Sequence, residues 1–257
     1  MTIKTKQQQG PLFKARSYSC YLALLLLVSP RVWGMDNYRA SYRVQAGALT
    51  IGNITREFFY RHGVYALTVQ SSSKIPLVDI EGNECSVGLW KDQQPQPLSY
   101  EYQYQHQGKQ KQRQLHFDWI NNLATAENAK QLPLKPGLQD KLSYQLALGK
   151  QLKTQGEQFT IEVANQHHSQ PYVFTVLGQE LLKTPAGEYL TTVLDMAGKH
   201  HHSRLWLAES EDFLIIKVRY RHDGGHTLTA TLTELRKKIP FNSSNCVRNS
   251  NLAATFN

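Results

Sequence analysis

Between Pro171 and Arg236 apolar and polar residues alternate with a period of two, segment after segment, with short turn-forming stretches between the segments. A period of two sends successive side chains to opposite faces of a strand, so such a run folds as an antiparallel meander. In Phe213–Arg221 the residues Leu214, Ile216, Val218 and Tyr220 share one face, and Lys217, Arg219 and Arg221 share the other. Thr227–Leu235 sets Leu228, Ala230 and Leu232 against four threonines. Pro185-Ala186-Gly187 pinches Leu181–Tyr189 into two strand segments, and Asp223-Gly224-Gly225 has hairpin-turn chemistry.

The pattern extends toward the N-terminus. Strands are predicted at Tyr38–Gln45, Leu49–Tyr60 and Val64–Ser72, the last two joined by a turn at Arg61-His62-Gly63. Tyr100, Tyr102 and Tyr104 then share one strand face, and Leu115, Phe117 and Trp119 share a face after the turn at Gln107-Gly108. This hairpin has one heavily aromatic side, which either fills a core or lines a pocket for an apolar ligand. One helix is predicted, over Leu138–Leu148, with Leu138, Leu142 and Leu146 forming an apolar stripe and Gly149 ending it. A lone amphipathic helix among many strands packs its stripe on a sheet face.

Residues 1–34 read as a secretory leader. Lys4, Lys6, Lys14 and Arg16 precede the nine-residue apolar run Cys20–Val28, Ser29-Pro30 breaks it, and Val32-Trp33-Gly34 suits signal-peptidase cleavage. The run falls well short of the ~20 residues that span a bilayer. Removing this basic, acid-free segment takes the formal charge from +9 to +4, too little and too scattered to argue for nucleic acid. The expected organisation is a leader at 1–34, one β-rich domain at 35–238 and a flexible polar tail at 239–257. Two cysteines remain, Cys85 and Cys246, a candidate disulfide that would clip the tail onto the body.

Catalytic signals are sparse. His200 and His202 would share a strand face and make a weak metal pair, with His222 or His226 as a third ligand; no carboxylate or cysteine stands at a recognisable offset. No nucleophile elbow or phosphate loop occurs, and Glu209, Glu211 and Asp212 cluster in a turn. No catalytic residues, cofactor or metal is assigned. An outer-membrane barrel fits poorly, because strands such as Gly108–Gln114 are polar throughout.

The order of several short motifs resembles a known family. These are Ile51-Gly52, Pro97-Leu-Ser-Tyr100, Asp140-Lys-Leu-Ser-Tyr144, Thr184-Pro-Ala-Gly-Glu-Tyr189, and Arg204-Leu-Trp206 with Lys217 in the next strand. Together they resemble domain-of-unknown-function family 3108, over about Tyr38 to Arg236. The resemblance implies a periplasmic protein of the Gram-negative envelope, mainly β, whose curved antiparallel sheet or half-open barrel folds around a helix, similar in outline to lipoprotein carriers. It supplies no catalytic residues. The leading expectation is a non-catalytic binding or carrier module for an apolar or lipid-like ligand, with Tyr100, Tyr102, Tyr104, Leu115, Phe117, Trp119, Leu142 and Leu146 around its cavity. The alternatives are an assembly factor that binds another envelope protein through a sheet edge, and an unrecognised envelope hydrolase.

Overall fold

The computed structural model describes residues 36–73, 80–106, 108–128, 130–197, 201–222 and 227–241. Among them the N-terminal half supplies strands β1 (Tyr38–Ala46), β2 (Leu49–Arg61), β3 (Val64–Ser73), β4 (Ile80–Lys91), β5 (Gln94–His106), β6 (Lys109–Asp118), β7 (Leu123–Ala126) and β8 (Gln131–Pro133). Helix α1 (Ser143–Thr154) follows. The C-terminal half supplies β9 (Gln158–Ala164), β10 (Ser169–Thr184), β11 (Gly187–Ala197), β12 (His201–Ala208), β13 (Leu214–His222) and β14 (Thr227–Lys237).

All fourteen strands join one antiparallel sheet, in the order β8-β7-β6-β5-β4-β3-β2-β1-β14-β13-β12-β11-β10-β9. The chain therefore starts in the middle, runs outward to β8, crosses by way of α1 to β9, and meanders back to pair β14 with β1. The turns obey local chemistry. His62 (φ 49°) and Gly63 (φ 78°) both take the positive φ that a two-residue hairpin requires. The sheet is curved and stays open, with α1 on its concave face, which is the mainly β architecture expected. By its contacts the chain divides at Met35, and every described residue belongs to the second unit. Among the described residues no helix is long and apolar enough to cross a membrane.

Alternation sorts the core into faces. On the concave side Phe58, Tyr65 and Leu67 join Leu115 and Phe117 in one cluster. Leu194, Leu205 and Leu207 join Phe174 and the helix residues Ala147 and Leu148 in another. Two further apolar clusters complete the core, the second of them formed by Phe59, Val64, Ala66, Cys85 and Val87, opposite in phase to Phe58, Tyr65 and Leu67. The tip of the β10–β11 hairpin seals one of these, laying Leu182, Ala186 and Tyr189 against Trp206, Ile216 and Leu232. Ile239 and Phe241 seal the second, Phe241 meeting Phe59 edge-on at 5.0 Å. The tail expected from position 239 thus begins as packed chain. Covering a side chain of this size stabilises by roughly 1.5–3 kcal/mol.

The helix starts at Ser143 rather than Leu138, because Asp140 sets its N-terminus. Oδ1 of Asp140 accepts the backbone N–H groups of Leu142 (2.7 Å) and Ser143 (2.8 Å), and the Asp140 N–H donates to Ser143 Oγ (2.8 Å). This is a reciprocal cap that satisfies orphan donors of the first turn. The segment before it is spent on the sheet edge: Gln139 N–H donates to Glu162 O (2.9 Å), and Ala164 N–H donates to Gln139 O (2.7 Å). Leu138 and Leu142 are nonetheless buried. Gly149 sits inside the helix instead of ending it. There α1 passes the Phe213 ring so closely that a Cβ would come within 3.0 Å of it.

Candidate functional site

The concave face is not filled along its whole length. The central strands β1 and β14 form a floor of Tyr42, Val44, Leu228 and Ala230. Ile54 and Val69 rise on one side of it, Met196, Ile215 and Val218 on the other, and the first turn of α1 overhangs with Leu142, Tyr144 and Gln145. The open groove measures about 570 Å³, within the range of ~300–1,000 Å³ typical of small-molecule clefts. Its walls are mostly apolar, and β14 supplies them by alternation. In β13 a bulge opposite Trp206–Leu207 turns Ile215 to the side of Val218 and Tyr220 and parts them from Leu214 and Ile216, which were expected on one face with them.

Three charged side chains border this groove: Arg56, Glu84 and Lys141. Arg56 stands in phase with Ile54 and Phe58, so its strand carries it to the apolar face, where it is only 6 % exposed. Its Nε donates to Tyr38 Oη at 2.9 Å and its Nη1 to Gln145 Oε1. Glu84 accepts a 2.7 Å bond from Tyr100 Oη; burial raises its pKa above the ordinary carboxylate value, against the pull of that bond and of Lys141. Glu84 is the one carboxylate among the described residues that line the groove, and no histidine stands with it.

Beneath the helix start lies a second buried polar group. Asp140 is fully buried, and besides capping α1 it accepts a 2.6 Å bond from Ser86 Oγ on β4. Tyr65 Oη lies 3.0 Å from the same Ser86 oxygen. Burial pushes the Asp140 carboxyl up to about 6, against the opposing effect of its hydrogen bonds. Both oxygens of this carboxyl are engaged by protein donors.

The expected pocket residues fall in several places. Tyr100, Leu115, Phe117 and Leu142 are buried in the concave core, with Tyr102, Trp119 and Leu146 packed against it half-buried. Trp119 Nε1 donates to Pro97 O at 2.7 Å. Of the eight, Leu142 lines the groove. Tyr100, Tyr102 and Leu115 border a neighbouring cleft of about 430 Å³ together with Lys111 and Arg113. Tyr104 stacks on Tyr102 at 6.1 Å and faces a third cleft lined chiefly by Asn and Gln side chains.

His200 and Cys246 lie outside the described residues, as does the turn at Asp223–Gly225. His202 Nε2 is 2.8 Å from Asp195 Oδ2. Among the described residues no three His, Cys, Asp or Glu side chains cluster as metal ligands would. Cys85 is disulfide-bonded. Sequence reasoning missed Arg56 and Glu84. The available signal was a charge occurring in the apolar phase of a strand, Ile54-x-Arg56-x-Phe58.

A family model described as a protein of unknown function (DUF3108) matches residues 37–233. The chain belongs to the DUF3108 family. The motifs that carry the resemblance to DUF3108 proteins occupy structural joints. Asp140–Tyr144 is the helix start, and Thr184–Tyr189 is the hairpin tip packed against Trp206, Ile216 and Leu232. Trp206 pairs across the strands with Lys217, whose Nζ lies 4.7 Å above the indole ring, while Nε1 donates to Glu180 Oε2 at 2.7 Å. No curated protein matches the chain significantly. Among solved structures it is similar to a DUF1089-family protein from Pseudomonas aeruginosa (10% identity, 63% of this chain, 87% of that one, TM-score 0.38). It is also similar to a candidate lipoprotein from Parabacteroides distasonis (7%, 78% and 95%, TM-score 0.35). A third is a candidate exported protein with a YmcC-like fold from Bacteroides fragilis (10%, 79% and 95%, TM-score 0.31). Likenesses this distant carry no inference about the chain.

Proposed function

We propose that this is an exported, non-catalytic binding or carrier protein of the periplasm that holds an apolar or lipid-like ligand in the groove between α1 and the centre of the sheet. The observation that supports it is the groove itself. An apolar-walled space of about 570 Å³ is left open between two packed clusters of the core. Placement in the envelope rests on the leader-like residues 1–34.

The test is to express the full precursor in a bacterium, purify the mature protein from the periplasm without detergent, extract it for mass spectrometry, and titrate it with the uncharged fluorophore N-phenylnaphthylamine. A co-purifying apolar compound and saturable uptake of about one fluorophore per chain are expected. A protein that is empty and takes up no fluorophore overturns the reading.

One observation favours the assembly-factor alternative. β9 pairs with β10 only over Ser169–Thr175, so beyond Thr175 no strand of the described residues lies beside the outer edge of β10, and Leu177 and Leu181 are exposed there. The corresponding free half of β6 carries Lys109, Lys111 and Arg113, cations that discourage edge pairing. Should the groove prove empty, this half-edge is the first place to look for a protein partner.

A further inference from the structure

The groove's buried cation has no acid partner among the described residues. Arg56 makes its two hydrogen bonds to neutral groups, Tyr38 Oη and Gln145 Oε1. Glu84, across the groove, accepts from Tyr100 Oη and has Lys141 beside it. On the other side of Arg56 a small recess of about 50 Å³ contains Asp36, Glu211 and Asp212. Glu211 Oε2 is 2.5 Å from Lys237 Nζ, and Asp212 faces Lys153 and Lys237. No carboxylate of the described residues forms an ion pair with Arg56. A guanidinium is charged at every accessible pH, and a buried charge without a counter-charge is strongly unfavourable. The protein keeps one at the wall of an open apolar groove.

We propose that Arg56 is the anchor for the anionic head of an acyl-chain ligand whose chain lies along Val44, Ile54, Ile215, Val218 and Leu228. This rests on the binding reading given above and adds the chemistry of the head. The planar guanidinium fork matches a carboxylate or a phosphate with two parallel donors. The amide of Gln145 and the hydroxyl of Tyr38 hold the fork in place, the first from the start of α1 and the second from β1. Fatty-acid carboxylates and lipid phosphates share this chemistry, and the experiment separates them.

Purified mature protein is loaded with N-phenylnaphthylamine and challenged with decanoate, decyl phosphate and decanol, three competitors with one chain and different heads. The expected result is that at least one anionic competitor displaces the fluorophore at roughly tenfold or more lower concentration than decanol. Whether decanoate or decyl phosphate is stronger assigns the source of the head. In Arg56→Gln the advantage of the anionic head disappears while the fluorophore still binds. Arg56→Lys, which keeps the charge and loses the fork, retains part of it. Fluorophore binding also reports that each variant is folded. Equal displacement by all three competitors, or an anionic advantage that survives in Arg56→Gln, overturns the proposal and leaves the apolar groove standing. Failure of the fluorophore to bind the wild type defeats the groove reading itself, and with it this one.

Discussion

Asp140 and Arg56 are both buried, both face the first turn of α1, and differ in how the protein treats their charge. Asp140 accepts through its carboxylate from two backbone N–H groups and the Ser86 hydroxyl, and its own N–H donates to Ser143 Oγ. It can also shed its charge, because its carboxyl titrates at about 6. Arg56 has two neutral partners, no acid partner among the described residues and no way to become neutral. The first arrangement joins helix to sheet. The second leaves an electrostatic demand unmet where the protein opens to solvent. Buried charge alone therefore does not mark function; what matters is whether the fold has answered it.

The comparison breaks most easily at Asp140. Asp140→Ala removes the cap and strands the Ser86 hydroxyl in a dry interior, and urea unfolding is expected to show a loss of roughly 3–4 kcal/mol. A loss below 1 kcal/mol would mean the network is ornamental. Next comes the disulfide of Cys85, whose expected partner is Cys246. Cys246→Ser is expected to lower stability by roughly 2–3 kcal/mol, and a non-reducing digest to yield a linked Cys85–Cys246 peptide. Because Cys85 faces the convex side with Phe59 and Val87, fluorophore binding should not change.

Of similar size is the pH dependence of Asp140. Its carboxyl binds its proton more tightly folded (about 6) than at its ordinary value of 3.8. The folded state therefore holds more protons across that interval. The stability contributed by the neutral form is complete below about pH 4 and is lost as pH rises through 6, an amount on the order of 3 kcal/mol. Glu84, Glu101 and Asp212 are raised as well, so the measurement is the difference between wild type and Asp140→Asn across pH 4–7. A flat difference would show that the carboxyl is charged in the fold throughout. Smallest is Arg56→Met, expected to leave unliganded stability within about 1 kcal/mol of wild type or slightly above it. A loss of 3 kcal/mol would instead class Arg56 with Asp140 as a structural joint.

Much of the fold was legible because alternation is a local property. The strand limits expected at Tyr38, Leu49 and Val64 coincide with β1, β2 and β3. The helix was legible as an apolar stripe but not in its limits, since Leu138 and Leu142 are buried without being helical, and Asp140 decides where the helix starts. The pairing of β1 with β14 was not legible. It joins residues such as Tyr38 and Lys237 across nearly the whole domain, and no local pattern encodes it. The site was half legible. Arg56 in the apolar phase of β2 is visible in the sequence. That its partners are Tyr38 and Gln145, and not an acid, depends on how the helix crosses the sheet. The aromatic hairpin drew attention first because rings are conspicuous, yet most of its apolar side chains pack into the core.

The pairing of the first strand with the last has a consequence for how the molecule comes into being. Every other strand pair joins sequence neighbours, or strands within one meander, and can form as the chain emerges. The β1–β14 seam waits for the C-terminal strand, and until then each half presents an unpaired central edge. Contacts of such long sequence separation slow folding, because the chain must close a large loop before any of them can form. The groove floor is built from the two strands of this seam, so it is completed only with that last step. A chain cut before Thr227 would retain most of its hairpins and have no groove.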